Sequence, residues 1–281
     1  MKTRLFAPLF FCVLVFACSN QSTNKNSHSP NELDEEKTPQ KQNNTFFSDA
    51  KTIHVFVALC DNKFQGIVPV PQKIGNGQDP DNNLYWGCAF GVRSYFKKST
   101  DWKFLESRTF NSEKLERIIF KHTTKNYYLV ADAYNGKFIK QTTVDFLNSS
   151  CGKIKDTLKI GKTTIGIEGN ADLLAYVGHD GLMDFEIKDT FENTDNIKRN
   201  TIILACYSKN YFSQHLMQAN INPLVWSTHL MSPEAYTLHD ALTGYIKGET
   251  NAEIRTRAAK AYAKYQKCSE KAAKNLLVTG W

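Results

Sequence analysis

The run IHVFVAL at positions 53–59 decides the fold of this chain. Its apolar and β-branched residues are continuous, which is typical of a strand that is buried on both faces. Four further apolar runs follow, at 127–134, 172–178, 201–205 and 223–228. Strands of this kind belong to parallel sheets that helices cover on both sides. The sequence therefore predicts an α/β domain with a doubly wound, mostly parallel sheet and helices on both faces.

Helical patterns separate these strands. They cover 112–121, 138–147, 211–219 and 233–246. Ser232 is the expected N-cap of the last one, because Pro233 suits the first turn of a helix. The first part of the connection between the first two strands, over 66–87, is irregular and rich in Gly and Pro. A connection of this length is usually functional.

The N-terminus has the features of an export signal. Lys2 and Arg4 precede the apolar run 5–17, which ends directly at Cys18. That run is shorter than the roughly 20 residues that span a bilayer, and a small residue before a cysteine is where bacterial lipoproteins are processed. We expect a signal peptide over 1–17 and lipidation of Cys18, with an ordinary signal peptide cut elsewhere as the alternative. Because Ser19 is not the aspartate that retains lipoproteins at the inner membrane, an outer-membrane position in the bacterial cell envelope is favoured.

Composition separates a tether from one folded domain. Residues 20–44 are almost entirely polar, with Leu33 as their one aliphatic residue, so 18–44 is expected to be a lipidated, disordered tether and 45–281 the α/β domain. The formal charge of the chain is +7, and removal of Lys2 and Arg4 with the signal peptide takes away two positive charges. The remaining charge is too mild and too dispersed to favour nucleic acid as a partner.

The cysteine count indicates at least one free thiol. Seven cysteines are present, of which Cys12 lies in the signal peptide and Cys18 is the lipidation residue. The other five are Cys60, Cys88, Cys151, Cys206 and Cys268. An odd number in an exported protein leaves one thiol unpaired. If that thiol is Cys206, the other four cysteines could form up to two disulfides, which the oxidising exterior permits.

Two reactive side chains follow consecutive strands of the predicted sheet. His179 comes directly after the run 172–178, and Cys206 comes directly after the run 201–205. Ligands of doubly wound sheets bind at the carboxyl ends of the strands. A cysteine nucleophile needs a base beside it and backbone N–H groups for the oxyanion. We therefore predict a catalytic pair of His179 and Cys206, and the alternative for each residue alone is a surface histidine and an inert buried thiol.

An apolar strand that ends in His and Gly, followed by one that ends in Ala-Cys, resembles the caspase-like cysteine peptidases. The segments 224–235 and 253–261 are similar to what CHAT domains, one group of that family, carry after their cysteine. The resemblance covers about 173–265 in detail and the first strands in outline. Asp180 departs from the family pattern, which usually has glycine directly after the histidine. The oxyanion N–H groups are therefore expected at Cys206 and at either Gly181 or Asp180.

The resemblance implies a cysteine peptidase that acts on a peptide or protein substrate. It places part of the primary specificity pocket at the end of the first strand, where Asp61 would select Arg or Lys. The alternatives are that Asp61 only turns the chain and that the pocket is apolar, lined by Trp226 or Tyr207.

Two other classes of function stay open. One is a lipoprotein that keeps the fold for binding without catalysis, and the other is hydrolysis or acyl transfer on a non-peptide substrate. The other histidines have no metal-ligand spacing, and the oxygen-rich stretch 79–83 lacks the later Gly and Glu of a calcium loop. We expect no metal and no other cofactor.

Overall fold

The computed structural model of the protein describes residues 46–281, which form one sheet of eight strands, a two-stranded hairpin and six α-helices. The strands are β1 (Lys51–Ala58), β2 (Trp102–Thr109), β3 (Lys114–His122), β4 (Tyr127–Tyr134), β5 (Lys155–Ile160), β6 (Thr163–Glu168), β7 (Leu173–Gly178), β8 (Asn200–Leu204), β9 (Asn222–Ser227) and β10 (Leu277–Val278). The helices are α1 (Val92–Lys98), α2 (Ile139–Ser150), α3 (Ser208–Gln218), α4 (Ala235–Lys247), α5 (Asn251–Gln266) and α6 (Glu270–Leu276). The predicted signal peptide, the lipidation residue Cys18 and the predicted tether lie outside the described residues. Within the described part, no helix combines the length and the apolar character needed to cross a membrane.

The central sheet has the order β10-β9-β8-β7-β1-β4-β3-β2. The pairs β4–β1, β1–β7, β7–β8 and β8–β9 are parallel, whereas β2–β3, β3–β4 and β9–β10 are antiparallel. The chain leaves β1 toward β4 on one side and later returns to build β7 on the other. A mostly parallel α/β sheet is therefore confirmed, and this connectivity is compatible with double winding.

Both faces of the sheet are covered by helices. Along β1, Ile53, Val55 and Val57 pack into the same core as apolar residues of α1, α4 and α5. Phe56 and Ala58 point to the opposite face and pack with residues of α2 and α3. The continuous apolar run of β1 thus serves two cores, as expected for a strand with a layer on each side.

The predicted helix over 112–121 is wrong, because this segment is strand β3. Its apolar residues Ile118 and Phe120 join the core on one face, and Ile119 lies between them in the cluster on the other face. This alternation is the pattern of a strand, and β3 is held between β2 and β4 by antiparallel pairing. Tertiary pairing therefore overrides the local helical pattern.

The predicted N-cap at Ser232 is also wrong, since α4 begins three residues later with Glu234 in the N-cap position. The backbone oxygen of Ser232 accepts the N–H of Glu234 at 2.9 Å. The intervening Pro233 lines a surface cleft instead of opening the helix.

A buried ionic cluster ties β1, β3 and β4 together. The Asp132 carboxylate accepts Nε and Nη2 of Arg117 at 2.6 and 2.7 Å and lies 3.1 Å from Nε2 of His54. Lys114 adds an ion pair at 3.0 Å. Burial opposes ionisation of Asp132, but the hydrogen bonds from Arg117 and His54 outweigh it and hold the pKa of Asp132 well below its ordinary range. The cluster stays charged inside the fold.

Candidate active site

His179 and Cys206 emerge at the same edge of the sheet. Strands β7 and β8 are parallel neighbours, and Val177 lies opposite Leu204 in their register. His179 and Cys206 each come two residues later, so both leave the sheet at the same edge. Both line one cleft of about 340 Å³. The structure thus brings the predicted catalytic pair to a common site.

Gly178 explains how the chain leaves β7 at this point. Its φ is +143°, and a Cβ atom placed on it would lie 2.5 Å from the backbone oxygen of Ala58. Any larger residue would therefore push β7 away from β1 just before His179.

Cys206 lies in a tight turn between β8 and α3. The next residue, Tyr207, has the left-handed conformation at φ 48° and ψ 27°, and its N–H donates to the backbone oxygen of His229 at 3.0 Å. Ser208 secures the turn through its hydroxyl, which donates to the oxygen of Ile203 at 3.0 Å. A left-handed residue other than glycine is strained, and here it follows the predicted nucleophile directly.

The backbone N–H groups predicted to hold an oxyanion have no acceptor among the described residues, and of Cys206 and Gly181 the first lines the cleft whereas the second does not. Within residues 46–281, the N–H of Gly181 and the N–H of Cys206 donate to no protein acceptor. Gly181 is buried and opens the short 3-10 helix Gly181–Met183. The N–H of Asp180, the alternative to Gly181, also has no acceptor among these residues, so the choice between the two stays open.

The Cys206 side chain is held as a neutral thiol. Its Sγ donates to the backbone oxygen of Met231 at 3.5 Å, and the N–H of Met231 donates to Sγ at 3.4 Å. Burial raises the pKa of Cys206, and the charge of the nearby Asp180 adds to the rise. In the part of the chain that is described, no hydrogen bond joins this thiol to His179.

The His179 ring is oriented by Asp184. Its Nε2 lies 2.8 Å from Oδ2 of Asp184, and the same oxygen accepts the N–H of Gly66 at 2.9 Å. With Nε2 donating to the carboxylate, the neutral ring has Nδ1 left to accept a proton. Asp184 therefore contacts His179 in the way that the aspartate of a catalytic triad contacts its histidine.

Asp184 is a candidate functional residue that the sequence does not reveal. The stretch 180–195 contains six acidic residues, and none is distinguished by a strand end. Asp184 reaches His179 because the chain turns back: Oδ1 of Asp180 accepts the N–H of Leu182 at 3.0 Å, and the oxygen of Gly181 accepts the N–H of Asp184 at 2.9 Å. An aspartate followed by glycine is a turn signal, which is the one hint that the sequence holds.

Asp180 occupies the position where the family resemblance expects glycine. Its side chain is fully buried. Oδ1 caps the turn, but Oδ2 has no hydrogen-bond partner among the described residues. Burial raises the pKa of Asp180 to about 7, with a further contribution from the charge of Asp184.

Neither predicted substrate-binding residue lines the cleft. Asp61 is buried in a turn, where Oδ1 accepts the N–H of Lys63 at 2.9 Å and Oδ2 accepts Nε2 of Gln78 at 2.6 Å. Trp226 lies in the core that packs against α2 and α3, and its Nε1 donates to the oxygen of Gly280 at 3.0 Å. These placements give no support to either residue as a specificity determinant, because both side chains are already satisfied elsewhere.

The remaining cysteines do not form disulfides with one another. All five cysteines of residues 46–281 are free thiols. Burial raises the pKa of Cys60 to about 12, so this thiol is unreactive at neutral pH. Over the same residues, no cluster of three or more His, Cys, Asp or Glu side chains is arranged to hold a metal ion.

Comparison of the chain with models of protein families, with curated proteins and with solved structures gives no significant match to any of them.

Proposed function

We propose that this protein is a cysteine peptidase of caspase-like fold, in which Cys206 is the nucleophile, His179 the general base and Asp184 the residue that orients the histidine. The observation that carries the proposal is the convergence of Cys206 and His179 on one cleft from the ends of adjacent parallel strands. The hydrogen bond between His179 and Asp184 and the uncommitted N–H groups of Gly181 and Cys206 support it.

Catalysis begins when a peptide carbonyl enters the cleft. The Cys206 sulfur forms a bond to the carbonyl carbon while its proton passes to Nδ1 of His179. The negative charge on the carbonyl oxygen is held by the N–H groups of Cys206 and Gly181. The protonated histidine then gives its proton to the leaving amine as the C–N bond breaks, and a water molecule activated by His179 hydrolyses the thioester.

The thiol could lose its proton before it attacks the carbonyl or during the attack, and its environment favours one of these two routes. Because burial raises the pKa of Cys206, a preformed thiolate paired with an imidazolium is disfavoured. Proton transfer to His179 therefore accompanies bond formation, and binding of the substrate must first displace the thiol from Met231.

A binding protein that keeps the fold without catalysis is the second candidate. It is favoured by one observation: the Cys206 thiol is hydrogen bonded to the Met231 backbone and not to His179. In this case the cleft would bind a peptide and leave it intact.

The proposal includes the location of the protein. We infer that lipidation of Cys18 anchors it in the bacterial cell envelope, at the outer membrane, with the folded domain on a polar tether. Its partners are then the membrane, through the anchor, and a peptide or protein substrate, whereas nucleic acid is not a partner.

Cleavage of an unbiased peptide library, read by mass spectrometry, tests the proposed function. The Cys206→Ala variant is expected to be inactive, and His179→Ala to lose about 10²- to 10⁴-fold in rate. Asp184→Asn should lower kcat by about 100-fold, because the histidine loses its orienting partner.

A matched control is Cys268→Ala, which removes an exposed thiol outside the cleft and should keep full activity. If the unaltered protein leaves every peptide intact under conditions where it is folded, the binding role replaces the peptidase. Equal cleavage by the Cys206→Ala variant would assign the activity to other residues.

A further inference from the structure

The cleft that Cys206 and His179 line is walled mainly by apolar side chains. Those that line it are Ile67, Val68, Val70, Leu84, Met183, Leu230 and Met231. They come from three loops, one after β1, one after β7 and one after β9, so they meet only in the folded protein. Val68 and Leu230 are 81% and 61% exposed at the rim. Apolar side chains grouped around a cleft at a reactive thiol are typical of a binding surface.

The charged groups that face this cleft are few. Its titratable lining residues are Tyr85, His179, Cys206 and Glu234, and no Lys or Arg is among them. An acidic side chain would therefore find no Lys or Arg partner there.

Glu234 is the one carboxylate of the lining, and one of its two oxygens already has two hydrogen-bond partners. Its Oε2 accepts the hydroxyl of Tyr236 at 2.9 Å and Nε2 of Gln266 at 3.1 Å. Burial raises the pKa of Glu234, which disfavours its charged form. A basic side chain would have to compete with these neighbours and desolvate its own charge against apolar walls.

We propose that this cleft is the primary specificity subsite and that it takes an uncharged, apolar side chain of about the size of Leu, Met or Phe. The inference rests on the proposed function, since it assigns to the cleft the substrate residue whose carbonyl Cys206 attacks. The side chain of that residue is the one nearest to the thiol, and the thiol lines the cleft. A volume of about 340 Å³ is at the lower end for small-ligand sites and suits one large side chain with its flanking backbone.

Specificity for basic residues through Asp61 is not part of this proposal. The Asp61 carboxylate accepts its hydrogen bonds in a separate turn and does not line the cleft. Selection instead comes from burial of apolar surface, for which a preference of roughly 10- to 100-fold in kcat/KM is expected over a charged residue.

The test uses fluorogenic peptides that differ only in the residue before the scissile bond: Leu, Met, Phe, Lys, Arg or Asp. The full chain in detergent should turn over the Leu, Met and Phe peptides roughly 10- to 100-fold faster than the charged ones. Leu230→Asp places a carboxylate at the exposed rim, where the fold tolerates it, and should reduce the preference for Leu over Lys at least about 10-fold.

Met217→Asp is the matched control, because Met217 is 63% exposed on α3 and does not line the cleft. This variant should keep the preference of the unaltered protein. Loss of the preference in both variants would show that added negative charge, and not the cleft, is responsible, and would overturn the subsite.

Binding of the same peptides to the Cys206→Ala variant, measured by fluorescence anisotropy, separates the subsite from the chemistry. Tighter binding of apolar peptides without cleavage by the unaltered protein would retain the subsite and reject the peptidase. Cleavage after Lys, Arg or Asp would retain the peptidase and reject the subsite. Turnover of acyl esters with neither binding nor cleavage of any peptide would reject both.

Discussion

Replacing Asp180 with asparagine is expected to make the protein more stable at alkaline pH. The Asp180 side chain is fully buried, and only its Oδ1 has a protein partner within the described residues, the N–H of Leu182. An asparagine keeps this cap through its amide oxygen and removes the buried charge. The change therefore isolates the cost of ionising one carboxyl group beside the candidate nucleophile.

The magnitude follows from the pKa of this group. Burial raises the pKa of Asp180 from 3.8 to about 7, so between these values the folded protein binds more protons here than the unfolded chain. The stability from this group is full below about pH 3.8, falls as the pH rises, and changes no further above about pH 7. At about 1.36 kcal/mol per pKa unit, the whole window is on the order of 4 kcal/mol, of which about 3 kcal/mol lies above pH 5.

Urea unfolding at pH 5 and pH 8.5, followed by circular dichroism, measures this effect. The difference in unfolding free energy between Asp180→Asn and the unaltered protein should move by about 3 kcal/mol in favour of asparagine between the two pH values. Other titrating groups contribute equally to both proteins and cancel. Asp189→Asn, at an exposed position, is the control and should show no such change. Parallel loss of stability in the Asp180→Asn variant and the unaltered protein would refute the reasoning.

Two other predictions concern the buried cluster and the anchor. Asp132→Asn should lower the free energy of unfolding by about 3–5 kcal/mol, since it leaves the buried Arg117 without its ion-pair partner; a loss below about 1 kcal/mol in urea titration would contradict a charged cluster. Cys18→Ser should abolish incorporation of labelled fatty acid and release the protein from membranes, whereas Cys12→Ser should not. Continued membrane association of the Cys18→Ser variant would assign the anchor to another segment.

The interior strands were predictable because their signal is local. A strand with a layer on each face must be apolar along its whole length, and the runs at 53–59, 127–134, 172–178, 201–205 and 223–228 became β1, β4, β7, β8 and β9. The two strands at the β3–β2 edge gave no such signal. In β3, contiguous apolar residues at 118–120 fit a helix face as well as a strand, and only pairing with β2 and β4 resolves the choice.

The same distinction applies to the candidate site. His179 and Cys206 stand directly after buried strands, and in a parallel sheet the strand ends share an edge. Their proximity then depends on the two strands being neighbours, which the pairing of β7 with β8 in the fold provides. Asp184, the apolar walls around Val70 and Leu230, and the turn that holds Asp61 lie in loops with no periodic pattern. Their positions depend on hydrogen bonds and packing between segments that are far apart in the chain. These long-range contacts exist only in the folded protein, and they determine which side chain orients the histidine and what the cleft can bind.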